Sequence, residues 1–265
     1  MCITASVGAG GKNVPADGIV IQVLLNLNRP APLPQIAVDG AVGPGTAEAI
    51  REFQKRVMHL AAPDGRVDPG GGTLRALRAG LPAFDPATAL TPLVLKGIMP
   101  AARDAKVALY RPGLLAGMAR RHIDTPLRQA HFLAQLGHES MAFTYAEEIA
   151  SGAAYEGRAD LGNTHPGDGT MFKGRGLVQL TGRANYATYG KAIGRDLTSD
   201  IDKARSVASD PELAVDVACW FWETRNLNAL ADVDDVKAIT RRINGGYNGL
   251  DDRMAYLARA RFFLT

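Results

Sequence analysis

Several features that would assign this sequence to a class at once are scarce or missing. It has two cysteines in 265 residues, so at most one disulfide could form, and Cys219 lies in an apolar stretch that favours a buried thiol. No uncharged apolar run approaches the ~20 residues of a membrane span. The net charge is only +3 and no basic stripe stands out, which argues against a nucleic-acid-binding protein.

The amino terminus also lacks a basic segment followed by an apolar one, so no Sec-type signal peptide is expected. The composition, 46% hydrophobic and 22% charged, is that of a globular protein with a real core. At about 150 residues per domain, the length predicts one or two domains. Glycine is in excess, with 29 residues, and predicts many tight turns.

The first eighty residues contain a turn followed by a helix, twice. After an apolar helical run over 18–27, the turn 38–45 precedes a helix that we expect Thr46 to cap. The turn that starts at Asp64-Gly65 precedes a second helix, which we expect Thr73 to cap.

This segment resembles the peptidoglycan-binding module of cell-wall hydrolases. The resemblance covers residues 1 to about 80 and depends on the spaced pattern Asp39-Gly40, Gly43, Thr46, Ala49-Ile50 and Phe53-Gln54. It implies a small, three-helix-type module that binds peptidoglycan beside the turn, although folding alone could explain every one of these positions.

A segment rich in proline and glycine follows, and we take 81–90 as a linker. Residues 91–265 then carry long helical periods and form a mostly helical second domain. The predicted helices span 91–99, 112–123, 126–141, 184–193, 211–225, 233–243 and 251–263. About forty residues between 141 and 184 have weak periodicity, and so long an irregular stretch is usually functional.

Two glutamates border this irregular stretch. Glu139 ends a largely apolar helix, where desolvation suits a general acid, and Glu148 follows nine residues later. One unbroken helix would point the two carboxylates in opposite directions, so they can share a substrate only if the chain turns between them. Glu147 competes with Glu148, and the pair could also be a solvated helix start.

Other chemistries lack their residues. The pair His138-Glu139 begins a zinc-helix pattern, but position 142 is alanine, and no third ligand has a suitable spacing. No G-x-S-x-G is present, and Gly174 and Gly176 lack the third glycine of a dinucleotide loop. We therefore expect neither a metal nor a cofactor.

Four segments resemble the chitinase-like lysozymes of glycoside hydrolase family 19, including bacteriophage endolysins. The matching segments, in order, are 134–140, 155–163, 172–186 and 241–246. The family often has Ser-Gly-Gly after His-Glu, whereas Met141-Ala142 follows Ser140 here, so the bend after Glu139 could differ in shape. The resemblance implies a lysozyme-like, mostly helical domain with a substrate cleft, and the whole chain resembles a modular phage endolysin.

The resemblance also implies roles for individual residues. Glu139 matches the general acid, Glu148 the general base, and Thr181 the residue that helps to hold the attacking water. Polar residues that hydrogen-bond the sugars are matched by Gln179, Asn185 and Asn244.

Further residues keep two interpretations. Trp220 and Trp222 are expected in the core, with one of them possible at the cleft edge, and Arg253 is expected in a structural ion pair. Arg241-Arg242 either face solvent or flank the cleft.

We thus predict a monomeric lysozyme that cleaves β-1,4 bonds of peptidoglycan with inversion of configuration, because the two glutamates face each other across a cleft. We expect it to be made in the cytoplasm of a host and to reach the wall after release through a holin pore. A chitinase, a secretion-system effector with the same chemistry and a catalytically silent wall-binding protein are the alternatives.

Overall fold

The computed structural model describes residues 2–265, and the fold is mainly helical, as predicted. In the first part of the chain the elements are β1 (Val7–Gly8), α1 (Pro15–Leu27), α2 (Pro44–Met58), β2 (Arg66–Val67) and α3 (Gly72–Ala79). The strands pair antiparallel, with Val7 opposite Val67. The second part contains α4 (Pro92–Ile98), α5 (Asp104–Arg120), α6 (Pro126–Glu139), α7 (Asp168–Met171), α8 (Arg183–Ile193), α9 (Ile201–Ser209), α10 (Pro211–Thr224), α11 (Leu227–Asp232), α12 (Val236–Asn244) and α13 (Leu250–Leu264).

A buried glutamine organises the first of the two turn-and-helix units. The side-chain amide of Gln22, on α1, donates to Asp39 Oδ1 at 3.1 Å and to Thr46 Oγ1 at 3.3 Å. Its carbonyl oxygen accepts from the backbone N–H of Gly40 at 2.8 Å. Gly40 has φ +77°, and a Cβ there would lie 2.7 Å from the Pro15 carbonyl oxygen, so the turn requires glycine.

The same arrangement is repeated in the second unit. Gln54, on α2, donates to Asp64 Oδ1 at 2.5 Å and to Thr73 Oγ1 at 3.1 Å, and it accepts from the N–H of Gly65 at 2.9 Å. The internal repeat inferred from the sequence is therefore real at the level of side-chain contacts. It also shows that folding uses the aspartate, glycine, threonine and glutamine of the pattern.

The two threonines do not cap helices as predicted. The N-caps are Gly43, three residues before Thr46, and Gly71, two residues before Thr73, so both threonines lie inside the helices. Their hydroxyls accept hydrogen bonds from the buried glutamines instead, because an unpaired glutamine amide in the core would be costly.

Between α3 and α4 the chain has no helix or strand, and this interval contains the predicted linker 81–90. It is nevertheless anchored: Leu90 is buried, and its carbonyl oxygen accepts from Arg111 Nε at 2.6 Å. One hydrophobic cluster contains residues of α1, α2 and α3 together with residues of α4, α6 and α13. The division into two domains at these boundaries stays a prediction.

The predicted helices of the second part need correction at four places. Helix α5 begins at Asp104 rather than at Pro112, because the buried side chains of Val107 and Tyr110 extend its apolar face toward the amino terminus. The sequence does not predict helices α7, α9 and α11, each of which is short and has only two buried residues. For α9 a local signal existed, since Asp200 accepts from the N–H of Lys203 as an N-cap.

Helices α6 and α13 pack along each other at the centre of the second part. A Cβ at Gly137 would lie 3.1 Å from the ring of Tyr256, so glycine allows this close approach. A second hydrophobic cluster, with Phe172, Tyr186, Tyr189 and Trp220 as its largest members, lies apart from the main one. Both cysteines are free and buried, as expected for Cys219. Across residues 2–265, none of the helices has the length and apolar character needed to cross a membrane.

We predict that Gln54→Ala lowers the free energy of unfolding by about 2–4 kcal/mol, because Gly65 and Thr73 would each lose a buried hydrogen bond and Asp64 would lose a part-buried one. Urea unfolding measures the change. Gln35→Ala, at an exposed glutamine, is the matched control and should alter the free energy by less than about 0.5 kcal/mol. Equal effects of the two substitutions would contradict the structural role of Gln54.

Candidate active site

Glu139 is the last residue of α6, and a buried arginine from α13 holds it. Arg253 Nη2 donates to Glu139 Oε1 at 2.5 Å, and Arg253 Nη1 donates to Gln135 Oε1. The Arg253 side chain is fully buried, whereas that of Glu139 is 22% exposed. Arg253 is thus a member of an ion pair, as predicted, but its partner is the candidate catalytic carboxylate, which the sequence did not reveal.

The chain reverses immediately after Glu139. Met141, Ala142 and Phe143 have φ values of +48°, +52° and +65°, a left-handed conformation that side chains disfavour. The turn is held by the N–H of Ala142, which bonds the Gly137 carbonyl oxygen at 2.8 Å, and by the buried ring of Phe143. The chain therefore turns between the two glutamates, as their sharing of a substrate requires.

The turn falls where the sequence departs from Ser-Gly-Gly. Glycine adopts a left-handed conformation at little cost, whereas Met141 and Ala142 adopt it with strain. The chain thus bends after Glu139 although both glycines are missing.

A small ladder of backbone hydrogen bonds positions Glu148. Isolated antiparallel bridges join Glu147 to Arg175 and Arg175 to Leu180. The N–H of Glu148 donates to the Gly174 carbonyl oxygen at 2.9 Å. This ladder brings the segment after Glu139 next to the segment 174–181.

The Glu148 carboxylate accepts hydrogen bonds from two neutral donors. Tyr155 Oη donates to Oε1 at 3.1 Å, and the N–H of Gly174 donates to Oε2 at 3.0 Å. Burial, and secondarily the Glu148 charge, raise the pKa of Tyr155, so this phenol stays a donor. Gln179 lies close by, since a Cβ at Gly174 would be 2.7 Å from Gln179 Oε1 and 3.2 Å from Glu148 Oε2.

Glu147 has different partners. Its Oε1 lies 3.0 Å from Nε of the buried Arg175 and 3.5 Å from Lys173 Nζ. Successive side chains of an extended segment point to opposite faces, so Glu147 and Glu148 diverge. Two cations form ion pairs with the Glu147 carboxylate, while no cation lies within ion-pair distance of the Glu148 carboxylate among the described residues.

Gln179, Thr181 and Asn185 form one hydrogen-bonded group. Thr181 Oγ1 donates to the Gln179 carbonyl oxygen at 2.9 Å, and Asn185 Nδ2 donates to the Thr181 carbonyl oxygen at 2.7 Å. Gln179 has φ +56°, so the chain turns sharply at this residue.

A cleft of about 200 Å³ gathers four of the predicted residues, namely Glu139, Gln179, Thr181 and Asn185. Trp220 also lines the cleft, so it is both in the core and at the cleft edge. The remaining lining residues were not predicted as part of a site: Leu161, Val178, Leu180, Phe221, Arg225 and Ile243. Glu148 lies next to this cleft through Gln179. Asn244 is exposed at the end of α12 and does not line it. Trp222 is in the core, as expected.

A buried ion pair ties the irregular segment to α8, near the cleft. Asp168 accepts from Arg183 Nε at 2.9 Å and Nη2 at 2.5 Å, and from the N–H of His165 at 3.1 Å. The Arg183 hydrogen bonds lower the pKa of Asp168 to about 2. Asp168 is therefore more than the turn residue that its sequence context indicates.

Two family models match the chain. The model for glycoside hydrolase family 19, described as "Chitinase class I", matches residues 126–242, and the model described as "Putative peptidoglycan binding domain" matches residues 19–77. The first match spans Glu139, Glu148 and Thr181.

Curated proteins are similar over about half of the chain. A glycosyl hydrolase family 19 domain-containing protein of Haemophilus influenzae is 34% identical over 158 residues, which cover 48% of this chain and 75% of that protein. An endochitinase of Arabidopsis thaliana is 38% identical over 136 residues, or 51% of this chain and 45% of the relative. The chain thus matches less than half the length of the plant enzyme.

Solved structures share the fold. Chitinase C from Streptomyces griseus superposes with a TM-score of 0.55 at 21% identity, covering 66% of this chain and 92% of that one. A class IV family 19 chitinase from Zea mays gives a TM-score of 0.50 at 24% identity, with the same coverage of 66% and 92%.

We predict that Met141→Gly raises the free energy of unfolding by about 0.5–1 kcal/mol, because the relief of left-handed strain exceeds the extra entropy of an unfolded glycine. The Met141 side chain is 63% exposed, so little packing is lost. Urea unfolding measures the change. Met254→Gly, at an exposed methionine inside α13, is the control and should lower stability by about 1 kcal/mol. If Met141→Gly lowered the stability as Met254→Gly does, the proposed left-handed strain at Met141 would be contradicted.

A second prediction concerns acid stability. Because the pKa of Asp168 is lowered on folding, its carboxylate stabilises the protein fully above its ordinary pKa of 3.8, and this contribution is lost as the pH falls toward 2. Between pH 5 and pH 3 the free energy of unfolding of Asp168→Asn should therefore change less than that of the wild type, by about 1 kcal/mol. Urea unfolding at pH 5, 4 and 3 tests this, and parallel pH profiles would contradict it.

Proposed function

The chain belongs to glycoside hydrolase family 19, and from that premise we propose that it is a lysozyme that cleaves β-1,4 bonds of peptidoglycan with inversion of configuration. The observation that carries the proposal is the cleft, where the Glu139 carboxylate lies with Gln179, Thr181 and Asn185 while Glu148 stands beside Gln179. Glycoside hydrolysis requires two carboxyl groups beside the scissile bond; Glu139 lines the cleft and Glu148 lies next to it.

In the proposed reaction Glu139 is the general acid. Arg253 Nη2 bonds Oε1, and among residues 2–265 no donor is bonded to Oε2, the oxygen from which a proton would pass to the substrate. That proton passes to the glycosidic oxygen as the bond to the anomeric carbon breaks.

Glu148 is the proposed general base. Its hydrogen bonds to Tyr155 and Gly174 come from neutral groups that orient the carboxylate without neutralising it. A water between Glu148 and the sugar loses a proton to the carboxylate while its oxygen bonds the anomeric carbon. The Thr181 hydroxyl donates its own proton to the Gln179 carbonyl, so its oxygen is left to accept a hydrogen bond from that water.

Gln179 and Asn185 are proposed to bind the N-acetyl groups of the sugars, and both line the cleft. Asn244 keeps this proposed role only for sugars bound beyond the cleft, because it lies outside the lining residues. No group of three or more metal-binding side chains occurs within residues 2–265.

The peptidoglycan-binding domain supports the bacterial cell wall as the partner. Together with the hydrolase domain, it favours a modular endolysin, made in the cytoplasm of a phage-infected host, released through a holin pore and active as a monomer. The names of the relatives favour chitin as the alternative substrate.

The direct test measures the release of reducing ends from purified peptidoglycan and from chitin. We expect release from peptidoglycan, with the α-anomer as the first product, since inversion of a β bond gives an α sugar. Mass spectrometry of the reduced products tells whether muramic acid or glucosamine precedes the cut. If reducing ends were released from chitin alone, the enzyme would be a chitinase and not a lysozyme. A β-anomer as the first product would contradict inversion.

Glu139→Gln and Glu148→Gln should each lower kcat by at least about 100-fold, because each removes a group that transfers a proton in the transition state. Glu147→Gln is the matched control and should change kcat by less than about 10-fold. Thermal unfolding must accompany the assay, since Glu139 balances the buried Arg253 and Glu147 balances the buried Arg175. A folded Glu139→Gln protein with wild-type activity would disprove the role of Glu139 as the general acid. If the protein were a catalytically silent wall-binding protein, neither the wild type nor any variant would show activity.

A further inference from the structure

Four cations form a continuous surface beside the cleft, and we call them the cationic strip: Arg225, Lys237, Arg241 and Arg242. Arg225 lines the cleft that contains Glu139. The other three line an adjoining open depression of about 590 Å³ together with Asp235, Ala238 and Tyr247. The two surfaces join where Arg242 Nη1 donates to the Arg225 carbonyl oxygen at 3.1 Å.

The charges of the strip are not balanced within the protein. Among the described residues 2–265, no carboxylate lies within 4.0 Å of any of its four cationic groups, although most other arginines near the site are paired. Asp235 also lines the depression, but its carboxylate accepts from the N–H of Ala238 as the N-cap of α12. The guanidinium of Arg225 lies 3.5 Å from the centroid of the Phe221 ring, which fixes its position.

Folding alone explains only part of this arrangement. The helix dipole favours Arg241 and Arg242 in the last turn of α12, but it disfavours Lys237 in the first turn. Lys237 and Arg241 are also four residues apart on one helix face, where like charges repel. The strip thus concentrates positive charge at a cost to the helix.

Its position fixes what could bind there. Ile243 lines the cleft while Arg241 and Arg242, on the same helix, line the depression, so the strip lies within reach of a polymer that extends from the cleft past the end of α12. The exposed ring of Tyr247 adds a flat surface of the kind on which sugars stack.

We propose that the cationic strip binds carboxylates carried by the glycan strand and thereby selects peptidoglycan over chitin. This inference rests on the proposed function, because it assigns a substrate preference to the same cleft. Chitin is uncharged, whereas peptidoglycan bears a lactyl carboxylate or a stem-peptide carboxylate on every second sugar. Guanidinium groups bind carboxylates in a planar, two-pronged manner, which suits the arginines of the strip.

The test compares Arg241→Gln/Arg242→Gln with the wild type on soluble glycan strands. On native strands the variant should lose about 5- to 20-fold in kcat/KM, mainly through KM, since exposed ion pairs are individually weak. On strands whose carboxylates have been converted to amides, and on chitin hexamer, its kcat/KM should stay within about twofold of the wild type. The advantage of the wild type should shrink between low and high salt.

Two further variants exclude trivial explanations. Arg103→Gln/Lys191→Gln removes two exposed cations outside the strip that have no ion pair, and it should leave all rates within about twofold. Arg241→Lys/Arg242→Lys keeps the charge but not the two-pronged geometry, and it should recover only part of the lost affinity. Strands freed of stem peptides retain the lactyl carboxylate and distinguish the two sources of negative charge.

Binding to the Glu148→Gln protein separates this proposal from the proposed function. If the wild type cut only chitin, the proposed lysozyme activity would be disproved. The strip would still be tested by binding: with its arginines present, native strands should bind more tightly than amidated strands. An equal loss on native and amidated strands, or no loss on either, would overturn the proposal. So would an equally weakened binding of duplex DNA, which would mean a general polyanion surface.

Discussion

The arrangement of this site depends on one guanidinium that has no contact with water. Arg253 lies between α6 and α13, and among residues 2–265 its one charged partner is Glu139. Removing a cation from water costs several kcal/mol unless a counterion and hydrogen bonds accompany it, so the fold needs a carboxylate at this point. The same carboxylate stands at the wall of the cleft. The position of the candidate acid is therefore set by a requirement of stability as well as by chemistry.

That requirement extends along both helices. Gly137 and Gly249 remove side chains where α13 would otherwise meet α6, since a Cβ at Gly249 would lie 2.1 Å from the His138 ring. The strained turn at Met141 begins directly after the pair. Close helix packing, a buried charge and a left-handed turn thus meet within a few residues of the cleft, where local departures from low-energy structure are often found at functional sites.

The sequence predicts much of this and misses parts for identifiable reasons. The long helices and the internal repeat follow from periodicity and turn residues, which are local signals. The pairing of Glu139 with Arg253 does not, because 114 residues separate them and only the packing of α13 on α6 brings them together. The local sequence around Thr46 predicts an N-cap, because it contains no sign of the buried Gln22 whose amide needs the Thr46 hydroxyl. The family resemblance indicates Glu148, whereas spacing alone leaves open whether Glu147 or Glu148 is the second carboxylate. The ladder through Arg175 gives the physical reason for the choice, because it turns Glu147 toward Arg175 and leaves Glu148 on the other face.

The continuous core across the two parts of the chain has a mechanical consequence. Residues of α1 and α4 share one hydrophobic cluster, and Arg78 of α3 stacks 5.5 Å from the centroid of the Phe262 ring on α13. A wall-binding module joined in this way does not swing on a tether. It holds the cleft at one distance and one orientation from the module. Under the proposed function, each attachment to the wall gives access to only a few neighbouring bonds, and the rate of leaving the wall then matters as much to the overall rate of cleavage as the tightness of binding.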